Sequence, residues 1–157
     1  MRHQSKGRKF GRKSPQRNAL KRDVVNALFR HGRIVTTTPR AKEFRPYAER
    51  MITVAKRAAA AKASGKKEDV VVHLNAYRKL VSELHDETSV AHLIADIAPS
   101  FADRQGGYTR VVKLPKGRKG DAAPTSIFEL VNYEPPADAA EEAAATKKSA
   151  GETAAAK

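Results

Sequence analysis

Apolar residues along the chain alternate between helical and strand spacing, and the alternation predicts a mixed domain. Leu20, Val24, Ala27 and Leu28 recur three and four apart behind Ser14-Pro15, where a serine N-cap followed by proline is a helix-start signal. A helix over about 15–31 follows, with Arg17, Lys21, Arg22 and Arg30 mostly off its apolar stripe. Gly32 can take the left-handed conformation that ends a helix. The β-branched Ile34-Val35-Thr36 suits a short strand, and Thr38-Pro39 supplies the N-cap and first position of a second helix. That helix carries Ala41, Phe44, Ala48, Met51, Ile52 and Ala55 inward and runs to about Ala60. Pro46 lies about two turns in and predicts a bend, because proline removes one backbone hydrogen bond.

Residues 57–69, rich in Ala and Lys with Ser64-Gly65, read as a fraying helix end and linker. Val70, Val71, Leu74, Tyr77, Leu80, Val81 and Leu84 make a third helical stripe. His85-Asp86-Glu87-Thr88 interrupts it, and Val90, Leu93, Ile94 and Ile97 predict a further helix that stops before Pro99. After the Gly106-Gly107 turn signal, Tyr108–Leu114 and Ser126–Tyr133 predict two antiparallel strands joined by a mobile basic loop over 115–124. Two strands alone are marginally stable, and Ile34-Val35-Thr36 is the available third. The order is helix, strand, three helices, two strands: an α+β fold with a small three-stranded sheet packed on helices.

Charge changes what this domain is expected to meet. The 157 residues carry a net charge of +14, and the first 57 hold 17 Lys and Arg against 3 acids. Residues 58–133 hold 11 against 9, and 134–157 hold 3 against 5. A concentrated cationic surface favours a polyanion. Residues 1–13 contain Arg2, Lys6, Arg8, Lys9, Arg12 and Lys13 with one large apolar residue, Phe10. They predict a flexible arm that settles onto phosphates, releasing condensed counterions. The outer faces of the first two helices add Arg17, Arg22, Lys42 and Arg45, and the hairpin loop adds Lys116, Arg118 and Lys119. Arg104 and Arg110 flank Gly106-Gly107-Tyr108, where a guanidinium beside an aromatic suits a phosphate or an unstacked base. The competing reading packs Tyr108 on the sheet and leaves both arginines in solvent. Beyond 134 the chain has no large apolar residue and predicts a disordered tail.

Candidate chemistry is sparse. There is no cysteine, and the five histidines form no HExxH or paired ligand set, so neither a metal nor another cofactor is expected. No nucleotide-binding glycine motif, nucleophile elbow or acid–base pair is present, so an enzyme acting on a small-molecule substrate is not expected. No apolar run approaches the roughly 20 residues that span a bilayer, and the basic N-terminus lacks the apolar segment of a secretory signal. A cytoplasmic protein with no membrane partner is the expectation.

Several blocks in order resemble one family. Met1-Arg2-His3, His31-Gly32-Arg33-Ile34 with Thr36-Thr37, Ala41-Lys42-Glu43 and Ile52-Thr53-Val54-Ala55-Lys56 come first. Ile97-Ala98-Pro99-Ser100-Phe101-Ala102-Asp103-Arg104-Gln105-Gly106-Gly107-Tyr108-Thr109-Arg110 and Arg118-Lys119-Gly120-Asp121-Ala122-Ala123-Pro124 follow. Together they resemble the L-seventeen family of bacterial large-subunit ribosomal proteins across roughly residues 1–133. The resemblance implies a two-layer α/β fold over 14–133 and a structural role in the large ribosomal subunit. It further implies binding to large-subunit ribosomal RNA near the outer opening of the peptide exit tunnel, beside neighbouring ribosomal proteins. It places RNA contacts on Arg2, His3, Lys6, Arg8, Arg33, Thr37, Lys42, Arg104, Tyr108, Arg110 and Arg118. Residues 57–84 are longer than the family's usual linking region. Two other readings compete. A double-stranded DNA binder would use the two basic helices as a helix-turn-helix, and a membrane-surface protein would need bulky apolar anchors that are scarce here.

Overall fold

The computed structural model describes residues 7–64, 66–131 and 133. The predicted RNA contacts Arg2, His3 and Lys6 and the predicted tail over 134–157 lie outside them.

Helix α1, Ser14–His31, begins one residue earlier than its signals suggest. Ser14 already lies in the helix, Lys13 occupies the N-cap without a side-chain bond, and the Ser14 hydroxyl accepts from Arg17 Nη2 at 3.0 Å. Its buried face is Val25, Leu28 and Phe29, with Leu20 and Val24 at the margin. Gly32 closes it at φ 65°, donating its N–H to the Leu28 carbonyl at 2.8 Å, the left-handed cap its sequence position predicts.

Strand β1, Arg33–Thr37, leads into the 27-residue α2, Thr38–Ser64. Thr38 does not cap α2 with its side chain. Its hydroxyl is buried without a partner, while its N–H donates to the Pro124 carbonyl at 2.9 Å and extends the sheet ladder instead. Helical structure runs through Pro46 without interruption. Ala41, Phe44, Ala48, Met51, Ile52, Ala55, Ala58 and Ala61 form one continuous buried stripe.

The predicted linker over 57–69 is almost entirely helix. α2 reaches Ser64 and α3 spans Lys67–Leu84. The reason is packing: Ala55, Ala58 and Ala61 are short enough to let α3 approach closely, and His73 Nδ1 lies 3.0 Å from the Ala58 carbonyl. The stripe predicted on α3 is only half right. Leu80 and Leu84 are buried and Tyr77 and Val81 partly so, but Val70, Val71 and Leu74 face solvent. The first half of α3 packs on α2 through its His73 side and leaves these three side chains exposed. His85, left-handed at φ 55°, ends α3.

α4, Glu87–His92, continues as a π-helical turn over Leu93–Ile97 and a last turn, Ala98–Ser100. Pro99 therefore does not stop the helix; the wider π turn just before it makes room for the ring. Strands β2, Thr109–Lys113, and β3, Thr125–Leu130, complete an antiparallel sheet of order β1-β3-β2. The β1 segment is thus the third strand the hairpin requires, and β3 is central. Ser126, Phe128 and Leu130 point into the core, while Thr125, Ile127 and Glu129 point out. Phe29, Met51, Ile52, Leu93, Ile97, Phe101 and Phe128 fill the space between helices and sheet.

Candidate nucleic-acid interface

Residues 7–13 are not free of the domain, contrary to the flexible arm predicted for 1–13. Phe10 and Gly11 both have positive φ, 54° and 62°, and Arg12 N–H donates to the Lys9 carbonyl at 3.1 Å. Two left-handed central residues closed by that bond make a type I′ turn. The turn lays the Phe10 ring on Phe44 of α2, centroids 5.5 Å apart, and the Arg8 N–H donates to Glu43 Oε1 at 3.2 Å. One aromatic residue is what ties this polar segment down.

The folded segment, α1 and α2 frame an open cavity of about 230 Å3 whose lining includes Arg8, Lys9, Arg17 and Lys21. Arg17 and Lys21 are one helical turn apart on α1 and so share a face. Lys21 is further fixed by its ammonium, 4.1 Å from the centre of the Tyr47 ring. Arg12 and Lys13 are exposed nearby in sequence. Arg22 points elsewhere. Its Nε donates to the Glu83 carbonyl at 3.0 Å near the end of α3, where Tyr47 also donates its hydroxyl, at 3.0 Å. Burial, then the Glu83 carboxylate, pushes the Tyr47 phenol above its ordinary pKa.

A second cationic group lies on the outer face of the sheet. Arg33 and Arg110 both stand opposite Glu129 in the strand register. Arg110 Nη2 is 2.6 Å from Glu129 Oε1, and Arg33 Nε is 3.6 Å from Oε2. The carboxylate side chain is 14% exposed, whereas the arginines are 64% and 62% exposed. One acid thus holds two guanidinium groups apart and leaves a net positive row in solvent. Beside it, Val35, Ile127 and Val112 form the next row outward, and Thr37 pairs with Thr125 at the far end of β1.

The loop between β2 and β3 is folded on its own hydrogen bonds. Arg118 N–H donates to the Ala123 carbonyl and Ala122 N–H to the Arg118 carbonyl, both at 2.9 Å; the Thr125 hydroxyl donates to Lys116 O at 3.1 Å. Arg118 also clasps Asp121 through two side-chain bonds. That clasp, with help from the Ala123 N–H, brings the Asp121 pKa down to about 2 and raises that of Arg118. Gly117 is required here, since a Cβ would come within 2.5 Å of the Ala122 carbonyl oxygen. Lys116 and Lys119 project from this frame into solvent.

The Arg104–Tyr108 pair does not have the geometry of a base-stacking site. Tyr108 is 3% exposed and packs edge-on to Phe101, centroids 5.3 Å apart. Its remaining approach is taken by Lys56, whose ammonium lies 5.3 Å from the ring centre and donates to the Arg104 carbonyl. Tyr108 is therefore a packed residue, with no ring face left for a base. Arg104 itself is exposed and donates through Nε to Gly106 O at 3.2 Å. Lys42 is exposed; Arg45 is exposed but engaged with Glu49 one turn on, at 3.0 Å. Sequence reading missed the grouping of Lys21 with the arm and the pairing of Lys56 with Tyr108. The first had a signal in the Arg17–Lys21 spacing; the second joins residues far apart in the chain and had none.

The family model described as ribosomal protein L17 matches residues 20–131, well over half the chain. The chain belongs to the ribosomal protein L17 family. As a member of it, the protein is structural rather than an enzyme. "Large ribosomal subunit protein bL17" of Thermus thermophilus is 44% identical over 131 residues, covering 83% of this chain and 99% of that protein. The namesake from Heliobacterium modesticaldum is 46% identical over 124 residues, 79% of this chain and 97% of its own. That from Clostridioides difficile is 45% identical over 127 residues, 81% and 99% respectively. The L17 match starts at residue 20, within α1, and runs through the whole sheet and the hairpin loop; it includes Arg33, Arg110 and Lys21, while Arg8, Lys9 and Arg17 lie ahead of it. Among the described residues, no helix is long and apolar enough to cross a membrane.

Proposed function

We propose that this chain is a structural component of the large ribosomal subunit in the cytoplasm, held there by large-subunit ribosomal RNA and adjoining neighbouring ribosomal proteins. The observation that carries this reading is the gathering of cations at fixed points of a rigid domain. Arg8, Lys9, Arg17 and Lys21 surround one cavity, and Arg33 and Arg110 flank Glu129 on the sheet. Contacts of this kind go to phosphates and set position and orientation; they carry little sequence information. Arg12, Lys13, Lys42, Arg45, Arg104, Lys116, Arg118 and Lys119 extend the surface, and Arg2, His3 and Lys6 extend it beyond the described residues. Thr37 sits at its margin. Arg22, pinned to Glu83, and buried Tyr108 support the surface from behind. A place beside the outer opening of the peptide exit tunnel is the family-based part of the proposal.

The DNA-binding alternative meets a geometric obstacle. A helix-turn-helix joins its helices by a turn of three or four residues, whereas α1 and α2 are separated by β1, which is paired along its length with β3. The two helices are therefore held by the sheet.

Sedimentation tests the reading. Tagged protein from gently lysed cells should travel with the large subunit and leave it only at high salt; protein found free at low salt would refute the proposal. Cross-links from the protein to a stalled nascent chain would support the exit-tunnel placement, and cross-links confined to RNA far from the tunnel opening would overturn it.

A further inference from the structure

We propose that the cavity beneath the Lys9–Arg12 turn is a pocket for one extruded RNA nucleotide, its phosphate between Arg17 and Lys21 and its base against Phe10. This rests on the RNA-binding reading above and specifies a site within it.

The cavity is about 230 Å3, below the roughly 300–1,000 Å3 of pockets for drug-sized ligands. A nucleotide is slightly larger than this, but the cavity is open on one side, so a single nucleotide can seat there with part of its sugar in solvent. Its chemistry is divided in the way a nucleotide is. On the α1 side stand Arg17 and Lys21, one turn apart, with Arg8 and Lys9 completing the cationic rim; the acid in the lining, Glu43, has its Oε1 occupied by the Arg8 N–H. On the other side the partly buried Phe10, backed by the buried Phe44, offers an apolar surface. Single-stranded RNA is bound by such pairings of an aromatic face with nearby cations, because every base has a π-face and every nucleotide a phosphate. Asn18, also in the lining, supplies one amide that can both donate to and accept from a base edge.

The backbone adds an independent observation. Phe10 holds φ 54°, a conformation uncommon for residues other than glycine and outlying for bulky ones. Gly11 follows it at φ 62°, so glycine fills one of the turn's two left-handed positions and an aromatic residue the other. Strain kept in this way points to a site that needs the ring where it is. The Arg8 N–H bond to Glu43 and the Lys21–Tyr47 contact fix the two walls from opposite sides, so the pocket is formed before a ligand arrives.

The test is an NMR titration of the full chain with uridine 5′-monophosphate in one arm and inorganic phosphate in the other. The nucleotide should shift the Phe10 ring and Asn18 side-chain amide signals and bind at least several-fold more tightly than phosphate. Lys21→Gln should weaken both ligands, and Asn18→Ala should weaken only the nucleotide. Phe10→Leu keeps apolar packing on Phe44 and should lose the preference for nucleotide while remaining folded. Equal affinity for the two ligands, or shifts spread evenly over all cationic surfaces, would overturn the pocket. A protein that sediments with the large subunit yet fails this titration loses the pocket and keeps the proposed function; one absent from the subunit loses the function itself.

Discussion

The ring of Phe10 lies 5.5 Å from that of Phe44, tilted by 53°, and this contact turns residues 7–13 from a tethered charge cloud into part of the domain. Phe10→Ala should lower stability by about 1–2 kcal/mol, less than the roughly 3–5 of a fully buried Phe→Ala. Phe10→Gly should cost less than Phe10→Ala, since glycine adopts the left-handed φ without strain. Urea unfolding of the two variants checks the order.

Glu129 separates two guanidinium groups on the open face of the sheet. Glu129→Gln should cost no more than about 1 kcal/mol, because its partners are largely exposed. It should also strengthen binding to ribosomal RNA at low salt, since Arg33 and Arg110 are released to phosphates. Filter binding at two salt concentrations reads this; unchanged or weaker affinity would place the RNA elsewhere.

Asp86 joins α1 to α4. Its carboxylate accepts from the Ser89 hydroxyl at 2.5 Å, from the Thr88 hydroxyl at 2.7 Å and from Arg30. These bonds, Ser89 foremost, hold its pKa well below the usual carboxylate range. A depressed folded pKa adds stability above the unfolded value of about 4, and that stability is lost as pH falls through the folded value. Asp86→Asn should therefore cost about 1–2 kcal/mol at neutral pH, and the gap between wild type and variant should close on acidification below about pH 4. Denaturant melts across that range check it.

The two halves of α3 should respond oppositely to substitution. Leu80→Ala should lose about 2–5 kcal/mol, because Leu80 is fully buried. Val70→Ser and Leu74→Ser should each stay within about 0.5 kcal/mol, because both side chains are exposed. Large losses at Val70 or Leu74 would mean that this side of α3 is covered in the folded protein.

Element order, the sheet's third strand and the αL cap at Gly32 were legible because each follows from local chemistry: β-branched runs, turn glycines and helical spacing. Most of the misreadings concern how one element packs on another. Ala58 and Ala61 look like a fraying end until α3 is laid against them. Val70, Val71 and Leu74 look like a core stripe because periodicity does not say whether a second helix covers it. Thr38 resembles an N-cap, but Pro124, in a loop more than eighty residues on, takes its N–H into the sheet ladder instead. The candidate interface followed the same division. Its cations were countable from sequence, yet their grouping around a cavity depends on a turn at Phe10 that composition reads as disorder. Tyr108 carried a stacking motif in sequence, and packing on Phe101 removed it.

Binding of ribosomal RNA through fixed cations and phosphates is tested most directly by the slope of log affinity against log salt. The slope is measured for large-subunit ribosomal RNA, in wild type and in an Arg17→Ala/Lys21→Ala double variant. Each phosphate neutralised contributes roughly 0.7–0.9 to that slope. Wild type should give a steep negative slope, flattened by about 1–2 in the double variant with the folded state intact. A wild-type slope near zero, or a slope the double variant leaves unchanged, would contradict phosphate binding by these cations.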